Sequence, residues 1–493
     1  MKGIDFLGIS VADLFFKRAL FIARRIKEYY PHIIIVLGGI HAELYPEECL
    51  KESYIDGVCV GDGYQAILDL VNKWHNRHNE DISNMWIKLS GGSIKKCIKF
   101  DFFDNTALDR TAIPDYSYEH YWMLINDHIN WMAEYDGVYS CSHHQIGHKD
   151  TFVVSFMTGC IHNCLYCNNW ARFLKHQQYA KKKLPRVRYK SPQRMIAELS
   201  EILKLHQVKF LNIMDNDFFI RPISEIHEFS KLYKEYIGLP FYIMGSPDTI
   251  TEEGLLCLND AGLVELNIGL QTINRVNKVM YHRDYNLDDD QIIAKTKMVN
   301  RFVKQGKIDV FYDFIIFNAA STKEDIIDTI NFIRQIPIPF DQVVHHLTLG
   351  PEVSLYHKFK NEYMVLPRDL DKMYESNYHE LKLEEYQSFP HLYLNLIMEW
   401  MGGRHDEKQV GRLPRDPNHF VVSDPIFQLK KYFPDIYNAM HAVALETTDV
   451  WDLFLHEKVI SVLERNFAAL ELINSHMAPI LYTNQCNIGV FHG

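Results

Sequence analysis

Short apolar runs alternate with longer amphipathic stretches along most of this chain, the pattern of strands separated by helices. The first 75 residues predict strand Gly3–Ser10, helix Phe15–Tyr30, strand Ile33–Gly38, short helix Pro46–Ser53, strand Gly57–Val60 and helix Tyr64–Trp74. In the first helix Leu20, Ile22, Ala23 and Ile26 share a face, with Arg24, Arg25, Lys27 and Glu28 outward. Such alternation indicates a parallel α/β sheet. Met85–Lys95 reads as a hairpin turned at Gly91-Gly92.

The rhythm resumes at Phe152–Met157 and continues through strands Phe210–Met214, Phe241–Gly245, Glu265–Leu270, Asp309–Phe317 and Gln342–Thr348. Helices Pro192–Leu205, Ser224–Tyr236, Glu252–Ala261, Gln291–Gln305 and Lys323–Gln335 lie between them. These repeats are too few for a closed eight-stranded barrel. Farther on, Trp451–Ile473 carries Leu455, Val459, Val462, Leu463, Phe467, Leu470 and Ile473 at helical spacing, and Trp400–His405 breaks one helix. The chain therefore divides into an α/β domain (1–75), a connector (76–150), a second α/β domain (151–365) and a helical C-terminal region (366–493).

Candidate chemistry centres on Cys160, Cys164 and Cys167, spaced C-x3-C-x2-C just after a buried strand. Three thiolates in one loop suit a soft centre, zinc or an iron–sulfur cluster. A structural zinc site closes with four ligands, and this loop supplies no fourth cysteine. A cubane on three cysteines leaves one iron open. A zinc knuckle completed by His162, or a redox pair of Cys164 and Cys167, are the plainer readings of the loop alone. Gly38-Gly39 directly follows a strand, where a missing Cβ lets a ligand or another backbone approach the carboxyl end of the sheet. Cys141-Ser142-His143-His144 with His148 matches no standard metal spacing and reads as a polar loop, or as a place for one His to face substrate.

With Tyr166 before its last cysteine, this loop resembles the cluster loop of the radical S-adenosylmethionine (SAM) enzymes. The resemblance implies a partial (β/α)6 barrel over 151–365, with a [4Fe-4S] cluster on Cys160, Cys164 and Cys167. It also implies SAM bound at the open iron and cleaved to a 5′-deoxyadenosyl radical. Asp215 or Asp217 would then serve the SAM amino group, Gln271 in Gly269-Leu270-Gln271-Thr272 the methionine or ribose, and Ser246 and Tyr166 the same cofactor. Met280-Tyr281-His282-Arg283 and Leu349–Tyr356 match further family segments in part. Val36–Ala42 and Asp56–Gly63 resemble the later half of a cobalamin-binding domain, a partial Rossmann-like, flavodoxin-like fold, which puts Gly38 and Gly39 near cobalamin. Leu108-Asp109 and Ile113-Pro114-Asp115 resemble the linker between such domains. The earlier βα units of that domain, which in some members carry a cobalt-ligating His, are not in this sequence. The cofactor is then either lost, with the remnant as a packing platform, or the given chain lacks its true start.

Composition changes this picture little. Of 493 residues, 47% are apolar, enough for sizeable cores. The net charge of −11 and scattered basic residues argue against nucleic acid as a partner. The densest basic run, Lys181-Lys182-Lys183 with Arg186 and Arg188, reads as a solvated loop. Nine cysteines in so long a chain are no disulfide scaffold. No signal peptide or membrane-spanning run is seen, so the expectation is a cytoplasmic enzyme without a membrane partner. Its expected partners are a small-molecule or peptide substrate and a reductant such as flavodoxin or ferredoxin. Three readings stand: cobalamin-dependent methylation or tailoring of an unactivated C–H position; a cobalamin-independent radical SAM oxidoreductase, cyclase or mutase; and a non-catalytic metal-binding protein.

Overall fold

The structure is a computed structural model. It describes residues 4–12, 15–76, 80–125, 128–132, 150–181, 183–316, 318, 320–347 and 349–362, with 398, 403–405, 434–435, 438–439, 442 and 461–462. The Cys141–His148 stretch and the helix expected at Trp451–Ile473, apart from residues 461 and 462, lie outside the described residues. Two compact units divide the chain: Met1–Phe314 with Leu347–Asn377, and Ile315–His346 with Tyr378–Gly493.

The first unit opens with β1 (Phe6–Ser10), α1 (Phe16–Tyr29), β2 (Ile34–Gly38), α2 (Ile40–Leu44), α3 (Pro46–Lys51), β3 (Gly57–Cys59) and α4 (Gly63–Lys73). Strands β1, β2 and β3 are parallel, and the hairpin β4 (Met85–Lys88) and β5 (Ile94–Lys95) extends the sheet antiparallel. Alternation along β2 sends Ile35 and Leu37 to one face, with Ala19, Ala23, Cys49 and Leu50, and Val36 to the other, with Ala66, Leu70 and Trp74. Phe16, Ala19 and Ala23 form the buried stripe of α1. Ile22, expected on that stripe, is 43% exposed, because it lies one helical step off the i, i+3, i+7 line.

A short helix α5 (Asn105–Asp109) and a hairpin, β6 (Trp122–Ile125) with β7 (His128–Trp131), form the connector. Next come β8 (Thr151–Val154), β9 (Met157–Gly159), α6 (Asn168–Ala180), β10 (Val187–Tyr189), α7 (Pro192–Leu205), β11 (Phe210–Ile213) and α8 (Ile223–Tyr236). They are followed by β12 (Phe241–Gly245), α9 (Glu252–Ala261), β13 (Leu263–Gln271), the single turn α10 (Asn274–Val276), α11 (Asp289–Lys304) and β14 (Asp309–Ile316). Strands β8, β11, β12, β13 and β14 pair in parallel in that order. Ser191 caps α7, with Pro192 in its first turn, and Asp288 and Gln291 form a capping box on α11.

The expected strand at 152–157 is two strands. β8 stops at Val154, and Met157–Gly159 turns away to pair antiparallel with β10. Helix α6, which pattern reading did not anticipate, ends at Lys181 in the left-handed region (φ +50°).

The second unit holds α12 (Lys323–Ile333), where Thr322 and Asp325 make a capping box, and β15 (Phe340–His346). The helix α13 (Ser354–Asn361) belongs to the first unit. Gly403–His405, expected as a helix break, is a strand, β16, pairing antiparallel with β15. All six strands expected in the second α/β domain are present. No helix among the described residues is long and apolar enough to cross a membrane.

Within the first unit, buried ion pairs fasten the N-terminal sheet to the α6–β10 segment. Arg172 grips Glu43 through Nε (2.6 Å) and Nη2 (3.1 Å), and His176 Nε2 lies 3.0 Å from the same carboxylate. Burial by itself would raise the Glu43 pKa; the His176 hydrogen bond and the Arg172 charge outweigh it and lower it. Arg188 pairs with Asp62 and donates to the Phe103 carbonyl at 2.8 Å. Asp109 in the linker accepts from the Ser191 N–H at 2.9 Å.

Candidate active site

Asp215 sets the start of the cysteine loop. Its Oδ1 accepts from the Phe156 N–H (2.7 Å) and the Ser155 hydroxyl (3.2 Å), which draws the chain out of β8. Its Oδ2 pairs with Arg221 at 2.7 Å, both side chains being fully buried. β9 then ends at Gly159 with φ +88°, where a Cβ would collide with the Arg186 carbonyl oxygen. Only glycine fits there.

The loop that follows is held at its middle and its end. The Leu165 N–H donates to the Tyr281 carbonyl (2.8 Å), and the Leu165 carbonyl accepts from the Leu355 N–H (2.9 Å). Tyr166 packs edge-on against Tyr281 with centroids 5.1 Å apart. Cys164 is buried, and Cys160 and Cys167 are partly so. Burial pushes the Cys160 thiol up to about 12 and raises that of Cys167. The neighbouring thiols raise both further, so the three sulfurs share one locality, while the Arg283 charge acts in the opposite direction.

Arg283 lies against these sulfurs. Its Nη1 is 3.5 Å from Cys164 Sγ, and its Nη2 is 3.4 Å from the Gly269 carbonyl and 3.5 Å from Ser246 Oγ. Its Nε donates to the Tyr285 hydroxyl, which donates to the Gly269 carbonyl at 2.7 Å. Gln271 ends β13 at a register shift with φ +68°. A Cβ on Gly269 would come within 2.6 Å of Gln271 Nε2 and 3.2 Å of Arg283 Nη2, so that glycine makes room for both side chains.

A buried polar chain leads from the loop to the ends of β11 and β12. Ser246 Oγ donates to Asp217 Oδ2 at 2.5 Å, and His162 Nε2 lies 2.9 Å from Ser246 Oγ. The single serine proton goes to Asp217, so His162 Nε2 is the donor to Ser246. Burial, helped by the charges of Arg283 and Arg186, lowers the His162 pKa to about 3, so the ring is neutral at pH 7. Thr249 also donates to Asp217. Burial raises Asp217 to about 6 despite these hydrogen bonds, and raises Asp248 to about 6. Asp248 Oδ1 is buried without a hydrogen bond, 3.8 Å from His162 Nε2.

The structure therefore gathers Cys160, Cys164, Cys167, Tyr166, Ser246, Asp217 and Gln271 around one locality, joined through Arg283, His162 and Gly269. Asp215 stands at its base, with both carboxylate oxygens engaged inside the fold. Gly38 and Gly39 lie in the N-terminal sheet. A Cβ on Gly39 would meet the Ser10–Val11 segment at 2.8 to 2.9 Å, whereas one on Gly38 would only touch Cys59 at 3.8 Å. Asp313 accepts from Asn267 Nδ2 at 2.9 Å. Pattern reading left Arg283 and Tyr285 out of the site; the Arg at the end of Met280–Arg283 was the available signal. Three neighbouring thiols beside a fixed cation suit an anionic thiolate-bound cluster. Among the described residues, no three His, Cys, Asp or Glu side chains are arranged to hold a single metal ion.

The family model of the Radical SAM superfamily matches residues 154–354, and that of the B12 binding domain matches residues 2–71. The anaerobic magnesium-protoporphyrin IX monomethyl ester cyclase of Rubrivivax gelatinosus is 22% identical over 351 residues, 68% of this chain and 56% of that protein. An uncharacterized methyltransferase of Pyrococcus horikoshii is 22% identical over 342 residues, 69% of this chain and 66% of that one. The chain thus spans less than two thirds of the length of these curated relatives. Among solved structures, the radical SAM methyltransferase TsrM of Kitasatospora setae superposes with a TM-score of 0.51 at 13% identity, covering 71% of this chain and 64% of that one. The cobalamin-dependent SAM radical enzyme OxsB gives 0.51 at 12% identity, covering 96% and 66%. These structural likenesses carry the fold. With the cysteine loop inside the first match, the chain carries a radical SAM superfamily domain over residues 154–354 and a B12-binding domain over residues 2–71.

Proposed function

We propose that this enzyme modifies an unactivated C–H position of a small-molecule or peptide substrate, with methylation as the first reading. The observation that carries the proposal is the convergence of the three loop thiols with Arg283, Ser246 and Gln271 at the carboxyl ends of parallel strands, beside a chain segment matched as a B12-binding domain. When bound, the superfamily's [4Fe-4S] cluster and SAM supply the radical chemistry, and the B12-binding domain provides for cobalamin.

The protein's own part is to bind, orient and shield. Cys160, Cys164 and Cys167 would hold the cluster, and the raised thiol pKa values of Cys160 and Cys167 mean that iron binding must displace protons there. Arg283 eases that ionisation and fixes Ser246 and the Gly269 carbonyl. Ser246, Gln271 and Tyr166 would contact SAM when it is bound. Asp217 positions Ser246, and Asp215 positions the loop rather than touching a ligand, because both its oxygens are already bonded. Gly38, at the end of β2, where a Cβ would touch only Cys59 at 3.8 Å, is the glycine that would leave room for cobalamin. A flavodoxin or ferredoxin supplies the electron.

A second reading, a cobalamin-independent oxidoreductase or cyclase, is supported by the cyclase among the relatives and by the backbone that fills the space at Gly39. The two separate in one experiment. Reconstituted enzyme is given methyl-labelled SAM and dithionite, with and without hydroxocobalamin. Label eluting with a protein-bound corrinoid supports methylation. Deoxyadenosine formed at the same rate without corrinoid, and no label on the corrinoid when it is supplied, overturns methylation and leaves the second reading.

A further inference from the structure

Beside the cysteine loop, a pocket of about 430 Å³, counting space open to solvent, lies between α6, the start of β10 and the connector. Three arginines line it, and two are neutralised by the protein. Arg172 is gripped by Glu43, and Arg188 by Asp62. Arg186 is different. Its guanidinium lies over the Trp170 and Phe173 rings, 5.0 and 5.7 Å from their centroids. Stacking uses the faces of the guanidinium and leaves its in-plane N–H groups to find acceptors. Nε and Nη2 of Arg186 are both buried and hydrogen-bonded to nothing among the described residues. A buried donor without an acceptor costs free energy, and a charged one costs more.

Arg172, in the same pocket, shows what that edge is for. It holds Glu43 by the same two atoms, Nε to one oxygen and Nη2 to the other. This is the side-on fork that matches a planar pair of oxygens. Arg186 presents the identical edge with no carboxylate on it. With Arg172 and Arg188 offset by Glu43 and Asp62, the pocket carries about one uncompensated positive charge from its arginines. Phe102 and Phe173 give it an apolar wall, and Asn169 and Thr158 give it polar groups.

We propose that this pocket receives a singly charged anion with two equivalent oxygens, a carboxylate or a phosphodiester, seated on the Nε/Nη2 edge of Arg186. The site lies next to the cluster loop, because the Arg186 backbone packs directly on Gly159, the residue before Cys160. It therefore anchors an anionic group of a molecule held beside the cluster. The inference does not rest on the methylation reading, and its test measures binding without SAM.

Iron–sulfur-reconstituted protein is treated with phenylglyoxal, and modification of Arg186 is followed by peptide mass mapping. Benzoate, dimethyl phosphate and chloride are compared at equal ionic strength, with the exposed Arg24 as internal control. The expected result is that benzoate or dimethyl phosphate slows Arg186 modification about fivefold or more over chloride and leaves Arg24 unchanged. Stronger protection by benzoate assigns a carboxylate; stronger protection by dimethyl phosphate assigns a phosphodiester. Equal rates in all three salts overturn the proposal. Arg186→Gln, with iron content and melting temperature unchanged, should bind the protecting probe about tenfold more weakly in equilibrium dialysis, with Arg186→Lys between the two. Probe binding by Arg186→Gln as tight as wild type also overturns it.

Discussion

The two parallel sheets of the first unit present their carboxyl ends to loops of similar composition, glycines with nearby acids, yet those ends are filled differently. In the N-terminal sheet the groups are answered by the protein itself. Gly39 gives way to the Val11 backbone, Glu43 to Arg172 and His176, and Asp62 to Arg188. Around the thiols, a glycine instead makes room for polar side chains, Gly269 for Gln271 and Arg283. Polar edges there remain open, Asp248 Oδ1 and the Arg186 fork. Similar topology thus leaves Gly38 as an open point at one end and several open polar edges at the other, and what distinguishes the two ends is which polar atoms the fold satisfies.

This contrast predicts that changes in the first region act on stability and changes in the second on activity. The largest stability effect is expected at Glu43→Gln, which leaves Arg172 buried without its carboxylate. It should lower unfolding free energy by about 3 kcal/mol in denaturant titrations, while deoxyadenosine release per folded molecule holds. Loss of activity without loss of stability would break the comparison there. Arg283→Met should do the reverse. It removes the cation beside Cys164 and should cut SAM cleavage about 10- to 100-fold, with a smaller shift in denaturation midpoint than Glu43→Gln causes. Gly39→Ala, strained at φ +85° and pressed on Val11, should cost about 1–3 kcal/mol, with deoxyadenosine formation unchanged.

The smallest effect is one of pH. Glu43, whose folded pKa lies below 4.5, contributes stability above its unfolded value that is lost as pH falls through the folded one. Asp217 and Asp248, raised from 3.8 to about 6, contribute in the opposite sense: stability is fully present below 3.8 and is lost as pH rises through about 6. Asp217→Asn should therefore lower the melting temperature at pH 5 relative to that at pH 7, compared with the same difference in wild type. A pH profile unchanged by that substitution would show that Asp217 titrates normally.

Much of the fold was legible because its strands and helices carry strong periodicity. Helices α7 and α9 and strand β12 begin and end where their caps and apolar runs place them. The split of the strand at 152–157 was not legible, because what bends it is Asp215, some 60 residues away in sequence. The same holds for Asp215 itself: an acid at a strand end looks alike whether it meets a ligand or a buried arginine. The cysteine loop stood out as a thiolate site by its spacing, and its reading as a cluster loop came with the resemblance, because the loop alone also reads as a zinc knuckle or a redox pair. Arg186 was hidden in a basic run that reads as solvated, and only its stacking on Trp170 and its unmet N–H groups set it apart.

The central claim is that the Cys160–Cys167 loop holds a cluster that cleaves SAM. The direct measurement is anaerobic: reconstitute the chain with iron and sulfide, determine iron and sulfide content, add SAM and dithionite, and quantify 5′-deoxyadenosine. About four irons per chain and deoxyadenosine release, both lost in Cys164→Ala, are the predicted result. A colourless protein that binds zinc and leaves SAM intact, or one whose Cys164→Ala variant cleaves SAM as well as wild type, would contradict it.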